Sequence, residues 1–296
     1  MNHRMSRRGF LERSCALGVG AGLAGLGRPC LAARAALGAP SAERLGWRLA
    51  CNAYTYNKLT FYETIGKVAG LGLKHLVGFS WQKLDPQRPD AVFSEQMSAA
   101  ERREAKQRLR DAGLALPCCY CRFEAQEDAC RRLFEFAKEM GMETLDGEPA
   151  HQALDMLEKL CDEYQLNLAI HNHAKPSPNW DPDTLLKLFQ GRSKRIGACC
   201  DTGAWTWSGL SSVETLKKLQ GRILTFDLKD VTEDRRCVPF GTGKTDIRGI
   251  MVELHRQRFR GVLGIEYGQR TPDSEAEIAQ CVAFFENVSR ELAAAG

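Results

Sequence analysis

Five short clusters of acidic, imidazole and ammonium side chains punctuate this 296-residue chain from residue 146 onward, and each closes an apolar run. They are Asp146-Gly147-Glu148-Pro149, His171-Asn172-His173, Asp201-Thr202-Gly203, Asp227-Leu228-Lys229-Asp230 and Glu266-Tyr267. His171, Asp201, Asp227 and Glu266 are separated by 30, 26 and 39 residues, each about the length of one strand–helix unit. Four groups at equivalent positions of successive strands would converge on one point. One imidazole and three carboxylates brought together repel, and the repulsion lifts carboxyl pKa values unless a cation relieves it. A divalent ion does so. Oxygen-rich ligation suits Mn2+, Mg2+ or Co2+, with Zn2+ reached through the imidazole. The plainer reading is a set of helix caps and strand-end ion pairs. Four candidates in register favour the metal, with His171, Asp201, Asp227 and Glu266 as its ligands. His173 lies two residues from His171 and so faces the same side of a strand. It is either an outer partner of the site or a replacement ligand.

The elements that must position these residues are legible as alternating runs. Short apolar runs at 47–53, 74–79, 114–121, 142–146, 167–172, 195–200, 222–228 and 261–267 read as buried strands. Amphipathic stretches at 61–71, 97–112, 125–140, 150–164, 181–190, 212–219, 245–258 and 274–293 read as helices between and after them. Gly72, Gly113, Gly141, Gly191, Gly221 and Gly261 fall at or near the helix-to-strand junctions. A left-handed cap is expected there, and glycine adopts it cheaply. Eight such units predict a closed α/β barrel of the (β/α)8 TIM type, with its active site at the carboxyl ends of the strands. A doubly wound open sheet is the alternative. It would carry a glycine-rich turn after the first strand, and Asn52-Ala53-Tyr54-Thr55-Tyr56 is not one.

The first 35 residues read as an export signal and residues 36–296 as the barrel domain. Ser6-Arg7-Arg8-Gly9-Phe10-Leu11 precedes a Gly/Ala/Leu-rich run from Cys15 to Gly27, then Ala33-Arg34-Ala35 as a small-x-small cleavage pattern. This resembles a twin-arginine signal, which implies an extracytoplasmic, periplasmic destination. The apolar run is too short for a permanent span, so no stable membrane insertion is expected after cleavage. The net charge of +4 is local. Residues 1–35 hold six arginines against one glutamate, leaving the body near neutral. That argues against a nucleic-acid partner, which would need a basic face. Ten cysteines remain in the body. Cys118-Cys119-Tyr120-Cys121 has no second cluster to complete a zinc knuckle, and the cysteines are expected as buried thiols filling apolar space. No disulfide pairing follows from their spacing.

At the strand-end motifs the sequence resembles the sugar phosphate isomerase/epimerase family of xylose isomerase-like barrels, over about 47–290. The resemblance is carried by Ala169-Ile170-His171-Asn172-His173, the Trp180-Asp181-Pro182-Asp183 segment, Cys200-Asp201-Thr202-Gly203, Leu228-Lys229-Asp230, Gly241-Thr242-Gly243 and Gly264-Ile265-Glu266-Tyr267. It implies metal-dependent isomerisation or epimerisation of a sugar or keto-sugar, by proton abstraction beside a carbonyl through an enediolate. Glu148 and Glu266 are then the candidate bases. His173, Lys229 and Trp205, with Trp207 beside it, are candidate substrate contacts, an ion pair to Asp230 being the other reading of Lys229. The chain departs from the family pattern, which has His where Asp227 and Ala204 stand, Glu where Val77 stands, and an acidic residue at Gly268. These departures bring in a catalytically degenerate sugar-binding member as an alternative. A 3-keto-glycoside lyase or hydratase is another, and a homo-oligomer is left open. A DNA-repair nuclease is disfavoured, because such enzymes need more histidines than the body supplies.

Overall fold

The computed structural model describes residues 38–268 and 274–295. The export signal expected over residues 1–35 lies outside them. Eight parallel strands close into a barrel: β1 Trp47–Asn52, β2 His75–Phe79, β3 Ala115–Cys121, β4 Thr144–Gly147, β5 Asn167–His171, β6 Ile196–Asp201, β7 Ile223–Leu228 and β8 Gly261–Ile265. Each strand pairs with its neighbours in chain order, and β1 closes the ring against β8 from Trp47↔Gly261 to Cys51↔Ile265. The expected α/β barrel is therefore the observed one.

Helices lie between the strands and bury one stripe each. Two start at capping boxes, where the sequence supplies both halves. Thr60 pairs with Glu63 ahead of helix Phe61–Gly70, and Ser98 with Glu101 ahead of helix Ala99–Asp111. Gly72, Gly113, Gly141, Gly191 and Gly221 all have φ between 68° and 80°, as the junctions require. Gly261 does not. At that junction Arg258 takes the left-handed position, with φ 53°. Gly261 serves close packing instead, since a Cβ there would lie 2.6 Å from the Phe259 ring.

Besides the short helix Pro40–Arg44 ahead of β1, three features near the barrel mouth were not anticipated. A two-stranded hairpin, Gln82–Asp85 with Arg88–Phe93, follows β2. A short helix, Thr202–Trp207, begins directly at the end of β6. A second small ladder joins Asp230–Val231 to Cys237–Val238 beyond β7. All ten described cysteines are unpaired thiols, nine of them buried, as expected of apolar fillers. Among the described residues no helix is long and apolar enough to cross a membrane.

Candidate active site at the carboxyl ends of the strands

Alternation along each strand decides which residues face the barrel axis. Ala50, Val77, Cys118 and Val262 form a small apolar cluster of their own. Asn52 and Tyr120 lie two residues beyond Ala50 and Cys118, Asp227 pairs with Gly264, the register partner of Ala50, and with His171 and Glu266 they line the cleft above. Asp227 and Asp201 are register partners on adjacent strands, and Asp227 also pairs with Gly264 of β8. A parallel ladder thus brings residues far apart in sequence to within hydrogen-bonding reach.

The four expected ligands do converge, but a lysine lies among them. His171 Nε2 is 3.1 Å from Asp227 Oδ2 and 3.8 Å from Asp201 Oδ2. The Lys229 ammonium lies 2.8 Å from Asp201 Oδ2 and 2.8 Å from Glu266 Oε1. Asn52 Nδ2 donates to Asp227 Oδ1 at 2.8 Å and to Glu266 Oε2 at 3.4 Å. Asp201 also caps the following helix, its Oδ1 accepting from the Ala204 N–H at 2.9 Å. All these side chains are buried, so the interactions act at low effective dielectric.

Burial works against a charged His171, but its hydrogen bond to Asp227 and the charges of Asp227 and Asp201 outweigh it, so its pKa rises. Burial would lift Asp227, yet the same imidazole and Lys229 hold its pKa below the usual value. Lys229 is likewise opposed by burial and kept charged by Asp201, Glu266 and Asp227. Burial lifts Glu266 despite Lys229. One ring further down, Asp146 is pushed well up, first by burial and then by Asp227, and accepts from Thr225 Oγ1 at 2.9 Å.

These directions give a pH dependence. The raised imidazole pKa means that the His171 contribution to stability is complete below about 6.5, its unfolded value. That contribution is lost as pH rises through the folded value. The depressed Asp227 contributes above its unfolded pKa and is lost as pH falls through the folded one. In chelator, Asp227→Asn should therefore flatten the alkaline limb of the stability profile above about pH 6.5. Urea midpoints across pH 6–9 check this, and an unchanged slope in the variant would remove the pair as its cause.

On the other side of the cleft, Glu148 Oε2 meets His173 Nδ1 at 2.7 Å, and Ser177 Oγ donates to Glu148 Oε1 at 3.1 Å. Burial would raise Glu148, but His173 more than offsets it and holds the carboxyl below its usual range. Both residues line a cleft of about 770 Å3, together with His171, Asp227, Lys229 and Glu266. Tyr54, Phe79, Trp81 and Tyr120 build an aromatic wall in the same cleft, each ring meeting the next edge-on at 5.4–5.9 Å.

Several expected residues sit elsewhere. Trp205 is fully buried and does not line the cleft, whereas Trp207 does. Two residues along a helix point to nearly opposite sides, so the helix starting at Asp201 presents only one of the pair. Ala204 is buried too and does not line the cleft. Lys229 does not pair with Asp230. That carboxylate instead accepts from the backbone N–H groups of Gly241, Thr242, Gly243 and Thr245 at 2.8–3.2 Å. A Cβ at Gly243 would fall 2.2 Å from Asp230 Oδ1, so the Gly-Thr-Gly segment is a carboxylate cradle. Asn52, Tyr120 and Cys199 are site residues that the motif reading passed over. Asn52 ends β1 as Glu266 follows β8, and putting the strand-end question to all eight strands would have found it.

The donor chemistry fits a divalent ion. His171 Nδ1 is buried with no hydrogen-bond partner among the described residues. Donor atoms close enough to share an ion occur in His171–Cys199–Asp227 and in Glu148–His171–His173. Asp201 and Glu266, engaged by Lys229, belong to neither group.

The chain belongs to the xylose isomerase-like TIM barrel family, which it matches over residues 74–288. Among solved structures, an uncharacterised protein from Parabacteroides distasonis is 27% identical, with TM-score 0.68 over 82% of this chain and 99% of its own. A D-tagatose 3-epimerase-like protein is 14% identical, with TM-score 0.64 over 81% and 98% of the two chains. The IolI protein with a bound zinc atom is 13% identical, with TM-score 0.61 over 84% and 98%. No curated protein matches the sequence.

Proposed function

We propose that this protein is a divalent-metal-dependent sugar isomerase or epimerase that moves a proton beside a carbonyl. One observation carries the reading. Glu148 and Glu266 follow β4 and β8, which stand diametrically opposed in the ring, and both line one cleft with the His171–Asp227 cluster. A sugar over that cluster would present its two faces to two carboxyl groups, as removal and return of a proton require. His171, Asp201, Asp227 and Glu266 would hold the ion. When bound, it would polarise the carbonyl and neighbouring hydroxyl oxygens and so acidify the C–H between them. Glu148, oriented by His173 and Ser177, takes or returns the proton on its side, and Glu266 does so on the other. Trp207 supplies an apolar face in place of Trp205.

The test is solvent deuterium exchange in protein folded with Mn2+, using ketopentoses, ketohexoses and 3-keto-glycosides, followed by proton NMR. Exchange at the carbon beside the carbonyl supports the reading. Sugar binding without exchange in any of them would replace it with a non-catalytic, degenerate member. The aromatic wall and the size of the cleft favour a second reading, a lyase on a 3-keto-glycoside. They leave room for a leaving group beyond one sugar ring. Release of a phenol from an aryl 3-keto-glycoside would select it over epimerisation.

We further propose that the protein is exported folded by the twin-arginine route. Replacing Arg7 and Arg8 by Lys should retain it in the cytoplasm. Undiminished extracytoplasmic delivery of that variant, measured by fractionation, would exclude the route.

A further inference from the structure

We propose that Lys229 is the resident cation of this site, and that its ammonium and a divalent ion are alternative occupants of the Asp201–Glu266 carboxylate pair. The inference rests on the metal-binding reading above and adds a competitor to it.

The ammonium lies 2.8 Å from one oxygen of each carboxylate. An ion held by those same oxygens at about 2.0–2.2 Å would meet the ammonium at a separation where two cations repel strongly. One must leave. The division of donors fits this exclusion, because the groups already spaced to share an ion omit the two carboxylates that Lys229 bridges.

The lysine position is built into the fold. Thr202 Oγ1 accepts from the Lys229 N–H at 2.9 Å and donates to the Lys229 carbonyl at 3.0 Å. Asp230, the next residue, is locked in its cradle of four N–H groups. Gly203 provides the slot for the side chain. A Cβ there would lie 2.8 Å from Lys229 Cβ and 3.2 Å from Cδ. Gly203 is not among the positive-φ glycines, so its backbone does not call for glycine, and the space taken by the lysine stem and by Val231 Cγ1, 3.0 Å from that Cβ, does. The backbone is fixed, whereas the ammonium rides on a flexible four-carbon stem and lines the cleft. Displaced by an ion, it can turn toward a substrate oxygen. The ion pairs to Asp201 and Glu266, in place of the expected one to Asp230, and the substrate contact are then two states of one residue.

The experiment measures Mn2+ binding to chelator-stripped protein by calorimetry, in the parent and in Lys229→Met, with Lys229→Gln as the milder change. Removal of the competitor should tighten Mn2+ binding at least tenfold in either folded variant. It should also lower thermal stability in chelator, with Mn2+ restoring it. In the parent, Mn2+ should raise amine-reagent labelling of Lys229 severalfold, read by mass spectrometry, and this arm needs no variant to fold. Parent binding that is matched or weakened in the variants, with labelling unchanged, overturns the exclusion and leaves the metal reading standing. Absence of Mn2+ binding in parent and variants overturns both.

Discussion

Asp201→Ala is expected to lower stability by about 3–5 kcal/mol, because it strips a carboxylate from a buried ion pair and leaves its partner's charge under-compensated. Asp201 is buried, its Oδ2 held by Lys229 and its Oδ1 capping the helix that starts at Thr202. Loss of the cap alone accounts for about 1 kcal/mol. Asp201→Asn separates the two contributions, since the amide keeps an oxygen for the Ala204 N–H but no charge for Lys229. Urea unfolding should place Asn between parent and Ala. Both variants should lose tight Mn2+ binding, because the carboxylate is one of few anionic donors. An Ala variant within about 1 kcal/mol of the parent would place Asp201 among ordinary surface-type pairs and contradict its geometry.

The second large effect concerns the two carboxyl groups assigned to proton transfer. Once an exchanging sugar is found, Glu148→Gln and Glu266→Gln should each slow exchange by about 10²–10⁴-fold, the usual contribution of a positioned acid or base. Their signatures should differ. Glu266 contacts Lys229 and Asn52 inside the cluster, so its variant should lose Mn2+ affinity along with exchange. Glu148 contacts His173 and Ser177 and is not one of the four proposed ligands, although its carboxylate lies within ion-sharing reach of His171, so its variant should bind Mn2+ as the parent does and still fail to exchange. A Glu148→Gln protein exchanging at the parent rate would remove that residue from the chemistry and leave a one-sided proton transfer by Glu266.

Most of the barrel was legible because local and global preferences agree along this chain. Each buried strand is a short apolar run, most of the helix-to-strand junctions carry glycine, and two helices open with both halves of a capping box. The convergence of His171, Asp201, Asp227 and Glu266 followed from their places at the ends of successive apolar runs, about one strand–helix unit apart. Contact detail was not legible in the same way. Whether Lys229 pairs with the adjacent Asp230 or crosses to Asp201 and Glu266 depends on a backbone cradle eleven to fifteen residues downstream. Which tryptophan reaches the cleft depends on a six-residue helix too short to show periodicity. The hairpin Gln82–Asp85 with Arg88–Phe93 is polar on one side and interrupted by Pro89, so neither period stands out. Gly203 looked like part of a motif, and the stem of Lys229 together with Val231 gives it a physical reason.

The unpaired cysteines set how this protein fails. In the native fold nine of the ten described thiols are sealed from solvent, and burial pushes most of them well away from the reactive thiolate, Cys51, Cys161 and Cys281 to about 12. Unfolding exposes all of them at once, at ordinary thiol pKa and in close sequence neighbourhood at Cys118-Cys119 and Cys199-Cys200. An oxidant acting over the seconds to hours that disulfide formation takes can then join non-native pairs and withdraw the chain from refolding. The chain is thus protected by the persistence of its fold, and its lifetime under oxidising conditions is set by how often and for how long it opens.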